Sequence, residues 1–235
     1  MLYDPRQVHQ PEVSLFDTAR WRAAGTLTPA DRGRGGAWFI HPTPSGGEWA
    51  LRHYLRGGFV ARWNPDRYLW LGAERTRPFR ELRLTAALLA AGLPVPSPVA
   101  ARYVRAGLHY RADLLTVRIP GVQPLSAQLI HWSSAVWDAV GRCVRQFHDA
   151  GAWHADLNAH NVLVSEGAGS PAVYLIDWDR GCLLSPAMAA RAARGNVLRL
   201  QRSLHKLALE AGWLAAAQAD AWATFQSAYA APRGR

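Results

Sequence analysis

The sequence predicts an α+β chain, with an N-terminal lobe built on an antiparallel sheet carrying one helix and a small, mainly helical C-terminal lobe. Three observations carry that expectation. Short alternating apolar runs, separated by glycine, proline and polar turns, dominate residues 25–119 as antiparallel strands do. One helical period interrupts them after Pro78. Beyond residue 134, apolar residues recur at three- and four-residue spacing over most of the remaining chain. These shifts divide the chain into an N-terminal segment at 1–24, a sheet lobe at 25–119 and a C-terminal lobe at 120–235.

A chain of 235 residues with 49% hydrophobic residues can bury a large core or two small ones sharing a cleft, which excludes a disordered protein. The net charge of +10 comes almost wholly from arginine, because Lys206 is the one lysine. Such a surface suits an anionic partner, and nucleic acid, an acidic membrane surface or an anionic small molecule all qualify. Cys143 and Cys182 are too few for a disulfide framework or a cysteine metal site. The first fifteen residues have no basic start followed by an apolar core, so no secretory signal is expected and the cytoplasm is the expected compartment. The uncharged run at 84–101 is as long as a membrane span, but Gly92, Pro94, Pro96 and Pro98 make it a helix end and a loop.

Taken in order, residues 1–24 say little beyond a short helix suggested by Phe16, Ala19 and Trp21. Residues 25–40 read as a weak strand, a turn with Gly33, Gly35 and Gly36, and an aromatic strand. Those glycines would let backbone N–H groups approach phosphates, or would serve only a hairpin turn. Residues 48–54 alternate as a strand, with Trp49, Leu51 and His53 on one face and Ala50, Arg52 and Tyr54 on the other. Arg52 could present a planar, bidentate cation to phosphate, or be an ordinary surface residue. The stretch at 56–71 is long, aromatic and basic, with Arg56, Arg62 and Arg67, and its aromatics argue against disorder. The helix opened by Pro78 and stopped by Gly92 puts Glu81, Leu84 and Leu88 on one inward stripe. Glu81 could hold Arg52 or merely favour the helix dipole, and Glu74 is its rival. Extended segments near 100–104 and 113–119 end at a Pro120-Gly121 break. A helix over 134–150 presents Val136, Val140, Val144 and Phe147, and further helices are expected at 187–193, 197–211 and 215–229.

Between these helices lies the most informative stretch, HADLNAHNVLV followed by VYLIDWDRG. Four residues separate Asp156 from Asn161, making a tight loop that aims both side chains into one pocket. The strand at 162–164 then hairpins into 173–176, returning Asp177 to the level of Asn161. Phosphoryl transfer needs this arrangement: one carboxylate, Asp156, for the proton of the attacking hydroxyl, and oxygen donors, Asn161 and Asp177, for magnesium over the phosphates of ATP. His154 and Asn158 belong to the same loop. Isolated Asp and Asn residues usually just form turns, but three in this order and spacing favour chemistry.

These residues together resemble the protein-kinase-like superfamily, and the strings GRGGAWFI, LRHYLRGG, RYLWLGAERTRPFRELRL, GLPVPSPVA, HADLNAHNVLV, VYLIDWDRG and RLQRSLHKL resemble the 3-deoxy-D-manno-octulosonic acid (Kdo) kinase family. The likeness spans about residues 15–210. It implies a bilobal kinase fold and transfer of the ATP γ-phosphate to the 4-hydroxyl of a Kdo sugar on lipid A. By position it implies Asp156 as base with His154 and Asn158 beside it, Asn161 and Asp177 as magnesium ligands, and Gly33, Gly35, Gly36, Arg52 and Glu81 at the nucleotide. The acceptor lies on anionic lipid, so the family's partners would be Kdo-lipid A and the inner face of the inner membrane, with no role for nucleic acid. Arg56, Arg62 and Arg67, with the neighbouring aromatic residues, would supply a docking surface, and His160 a further acceptor contact. Departures from protein kinases are plain: Asn158 replaces a lysine, Asp177-Trp178-Asp179 replaces Asp-Phe-Gly, and no Ala-Pro-Glu follows. Another sugar kinase, such as a core heptose kinase, is the alternative, ahead of a protein kinase or a non-catalytic binding protein.

Overall fold

A computed structural model describes residues 1–30, 37–42, 47–56, 65–165 and 169–231. Gly33, Gly35, Gly36 and Arg62 lie outside the described residues. The chain forms two compact units, one of residues 1–87 and 96–119, the other of 88–95 and everything from residue 120 onward.

The first unit is a sheet. Its strands are β1 (Leu2–Tyr3), β2 (Leu27–Pro29), β3 (Ala37–Ile40), β4 (Trp49–His53), β5 (Tyr68–Leu69), β6 (Pro98–Ala106) and β7 (His109–Val117). Among the described residues they pair antiparallel in the order β1-β6-β7-β4-β3-β2, with β5 also on β7. The β6–β7 turn passes through Gly107 at φ +60°, a conformation L side chains rarely adopt. Alternation sorts the side chains onto two faces. Leu51 and Leu115 join Ile40 and Val99 on one, while Tyr54, Ala112 and Leu114 meet Phe79 and Leu82 of α2 (Arg77–Ala90) on the other.

Residues 1–24, expected as a segment apart, instead belong to this sheet. β1 pairs with β6, and Val8, Phe16 and Trp21 complete the core around Leu51 and Val99. The reason is burial of two large aromatic side chains, which the irregular polar spacing around them concealed. A 3-10 turn at Val13–Phe16 leads into α1 (Thr18–Ala23), capped by Asp17, whose carboxylate accepts the Ala19 N–H at 2.8 Å. The sheet unit therefore carries α1 as well as α2.

The second unit is mainly helical. α3 (Ser134–Asp149) buries Val136, Val140, Val144 and Phe147, the expected stripe. It packs closely on α5 (Ala215–Ala230) because Gly141 has no side chain: a Cβ there would meet the Phe225 carbonyl oxygen at 2.4 Å. The helices expected at 187–193 and 197–211 are one, α4 (Pro186–Glu210), running through Gly195. An interior glycine costs a helix about 1 kcal/mol against alanine, which the buried row Asn196, Leu200, Leu204 and Ala208 outweighs. Three short antiparallel strands, β8 (Gln123–Pro124), β10 (Val162–Ser165) and β11 (Ala172–Leu175), pair as β11-β10-β8, and β9 (Ala152–Trp153) pairs with β12 (Cys182–Leu183).

Candidate active site

The loop between β9 and β10 is held by its own polar groups. His154 is 1% exposed, and its Nε2–H donates to the Ile176 carbonyl at 2.9 Å while Nδ1 accepts the Asp156 N–H at 3.1 Å. That pairing suits only the neutral ring. Burial pushes the His154 pKa below its ordinary value, the Ile176 carbonyl only partly opposing it. Asn161 donates from Nδ2 to the Asp156 carbonyl at 2.9 Å, and its own carbonyl accepts the Ile176 N–H at 3.0 Å. Ile176 is thus bonded to both ends of the loop, and the next residue is Asp177. With Val162 opposite Leu175 in the hairpin, the expected return of Asp177 to the level of Asn161 is the observed geometry.

Asp177 takes φ +62°, left-handed for a residue with a side chain, and such a conformation costs on the order of 1–3 kcal/mol. Its neighbour anchors it. Trp178 is 1% exposed, donates to the Leu175 carbonyl at 3.2 Å and stacks on Phe147 at 5.1 Å. In contrast, the Asp156 side chain is 64% exposed, with Asn158 Nδ2 at 3.1 Å from Oδ2 and Arg199 Nη1 at 3.4 Å from Oδ1. The backbone is fixed while the carboxylate stays open. His160 is also exposed, and its Nδ1 meets the Ser126 hydroxyl at 2.8 Å.

One positioning group escaped the sequence reading. Asn196, 2% exposed on α4, donates from Nδ2 to the His154 carbonyl at 2.6 Å and accepts the His154 N–H on Oδ1 at 3.1 Å. This fixes the amide orientation, so His148 Nε2 at 3.3 Å must donate to the same oxygen and His148 Nδ1 accepts the Tyr229 hydroxyl at 2.8 Å. Burial lowers the His148 pKa to about 4. A signal existed: Asn196 lies on the same i,i+4 row as Leu200 and Leu204, where an unpartnered amide would be costly.

In the sheet unit, Arg52 Nη2 lies 2.5 Å from Glu81 Oε2, and Glu81 retains 3% side-chain exposure. The Tyr54 hydroxyl donates to the same oxygen, and the Arg52 guanidinium sits 4.6 Å over the Tyr54 ring. Glu74, the rival, pairs with Arg83 on the surface. Arg56 donates to the Arg67 carbonyl at 2.7 Å and lies over the Tyr68 ring. The docking surface expected at 56–71 is corrected in part. Tyr68 is buried and Trp70 packs on Tyr103 at 4.7 Å, because aromatic area gains more from the sheet than from solvent.

Comparison with known proteins bears on the fold and the family. A solved structure described as "WaaP in complex with acyl carrier protein" aligns with 96% of this chain and 87% of its own, with a TM-score of 0.53 at 16% identity, a likeness of fold. The fold is protein-kinase-like. Residues 18–229 match the family described as "Lipopolysaccharide kinase (Kdo/WaaP) family", and the chain belongs to that family. A 3-deoxy-D-manno-octulosonic acid kinase from Stenotrophomonas maltophilia (strain K279a) is 47% identical over 88% of this chain and 80% of its own length. Another from Xanthomonas axonopodis pv. citri (strain 306) is 46% identical over the same shares.

Proposed function

We propose that this chain transfers the γ-phosphoryl group of ATP to the 4-hydroxyl of a Kdo sugar on lipid A. The observation that carries the reading is the open Asp156 carboxylate on a loop whose backbone is otherwise bound; the names of the relatives supply the acceptor. Asp156 takes the proton of the attacking hydroxyl as its oxygen bonds to phosphorus and the bond to ADP breaks. Asn158 and Arg199 orient that carboxylate, and the neutral His154 holds the peptide of Asp156 in place.

Magnesium fits the donor set. Asn161 has its Nδ2 committed to the Asp156 carbonyl, so its Oδ1 would serve as one hard oxygen donor and the Asp177 carboxylate as the other. Magnesium is commonly held by one or two carboxylates and substrate phosphates, so no all-protein cage is needed. When bound it neutralises charge on the phosphates. Arg52, oriented by Glu81 and Tyr54, serves the nucleotide phosphates where related kinases use lysine. Gly33, Gly35 and Gly36 belong to the nucleotide in the same reading, and Arg56, Arg62, Arg67 and His160 to the acceptor's anionic groups. Among the described residues no helix is long and apolar enough to cross a membrane, and we place the enzyme peripherally on the cytoplasmic face of the inner membrane.

Asp156→Ala and Asp177→Ala should each abolish transfer to a Kdo-lipid A precursor while unfolding as cooperatively as the parent. Loss of the base is worth on the order of a hundred- to ten-thousand-fold. Wild-type turnover by a well-folded Asp156→Ala protein would remove the mechanism.

A further inference from the structure

Helix α4 is 25 residues long, about 37 Å at 1.5 Å per residue, and one side of it is exposed. Asn196, Leu200, Leu204 and Ala208 are buried. Away from that row, Met188, Leu198 and Leu209 are 61%, 53% and 70% exposed. At 3.6 residues per turn these three share a sector of roughly 80° with Arg191, Arg202 and Lys206, all exposed. Arg199 and His205 flank the sector, and the one acid of α4, Glu210, pairs with Lys206 at 3.8 Å. The face is cationic and apolar at once, over most of the helix.

That combination selects an occupant. Cations alone would suit nucleic acid or an acidic protein, but large apolar side chains standing between them gain only where an apolar phase lies just beneath the charges. An anionic lipid headgroup layer offers both. The face also adjoins the candidate chemistry, because Arg199 reaches Asp156 at 3.4 Å. We propose that the exposed face of α4 docks the enzyme on an anionic phospholipid surface, with Arg191, Arg202 and Lys206 on lipid phosphates and Met188, Leu198 and Leu209 at the acyl boundary. This rests on the reading of the acceptor as lipid-borne, and it moves membrane docking from the 56–71 stretch, where Tyr68 is buried and Trp70 packed, to α4. Docking through this face would hold Asp156 near headgroup height, where the acceptor sugar begins.

The test is flotation of the full chain with vesicles of phosphatidylcholine, with and without phosphatidylglycerol. Wild type should bind the anionic vesicles far more strongly than the neutral ones. The variant Arg191→Gln/Arg202→Gln/Lys206→Gln should partition more weakly by on the order of a hundredfold, from three basic residues near the surface. Met188→Ser/Leu198→Ser/Leu209→Ser should lose the binding that survives added salt, since salt screens charge but not apolar contact. Arg56→Gln/Arg67→Gln should float as wild type does. Equal binding to neutral vesicles, wild-type flotation by both α4 variants, or capture of polyglutamate or duplex DNA through these residues with vesicles ignored would overturn the proposal. Flotation needs neither ATP nor acceptor, and transfer to a water-soluble, deacylated Kdo acceptor should be unchanged in both α4 variants. Failure of that transfer in wild type strikes the kinase reading; failure of flotation with transfer intact strikes the docking face alone.

Discussion

Replacing Asn196 with alanine tests how the loop bearing Asp156 is held. The amide makes a 2.6 Å bond to the His154 carbonyl and a 3.1 Å bond from its N–H, and both peptide groups are buried. Alanine leaves that N–H and C=O without partners, at about 1–3 kcal/mol each and so about 2–6 kcal/mol together. A domain has about 5–15 kcal/mol in total, so most of the protein should stay folded and its kinetics can be read. The loop would then relax about His154, and displacement of a reacting group by about 1 Å can cost on the order of a hundredfold in rate. Because the Asn196 amide hydrogen-bonds, among the described residues, to the loop and His148, kcat should fall while the KM for ATP holds. Urea unfolding followed by circular dichroism, beside steady-state kinetics, reads both numbers. A loss under about 1 kcal/mol with unchanged kcat would refute the idea that this amide positions the loop.

Three further perturbations bear on separate parts of the structure. Arg52→Ala should weaken ATP binding and rate together, and Arg52→Lys should recover only part, since a point charge replaces a planar fork held by Glu81; a fully active Arg52→Ala would free the phosphates from this residue. Gly141→Ala should lower the melting temperature through a cost of about 1–3 kcal/mol, because its Cβ would fall 2.4 Å from the Phe225 carbonyl oxygen; an unchanged melt would contradict the α3–α5 contact. Burial holds the folded-state His148 pKa near 4 against an ordinary 6.5, so the unfolded chain binds the extra proton first. Stability should therefore fall as pH drops from 6.5 through 4, by up to about 3 kcal/mol at about 1.4 kcal/mol per pH unit. His148→Gln should show less acid sensitivity in urea midpoints, and equal sensitivity would exonerate His148.

The parts of the site written in local spacing were legible. The interval between Asp156 and Asn161, and the hairpin returning to Asp177, are set by chain length alone, and the α3 stripe by helical period. The pairing of Arg52 with Glu81 rather than Glu74 followed from which acid shares a face with Leu84 and Leu88. What stayed hidden depends on distant partners. Phe16 and Trp21 look irregular until the sheet exists to bury them. Asn196 beside Gly195 reads as a helix break, and only the His154 peptide, 42 residues away, makes an interior asparagine favourable. Tyr68 and Trp70 likewise read as a docking loop because tilted contacts with Tyr103 and Tyr110 leave no periodic trace.

The central claim is the acceptor, and transfer of labelled phosphate from γ-labelled ATP tests it most directly. The purified chain with magnesium would be offered a Kdo-lipid A precursor, a heptose-bearing core and a generic protein in parallel, and the labelled product mapped by its carbon-phosphorus couplings. Label should enter the Kdo-lipid A precursor alone, at the 4-hydroxyl of the sugar, and disappear with Asp156→Ala. Label on the heptose core or the protein in preference, with the Kdo acceptor unmodified, would contradict the account.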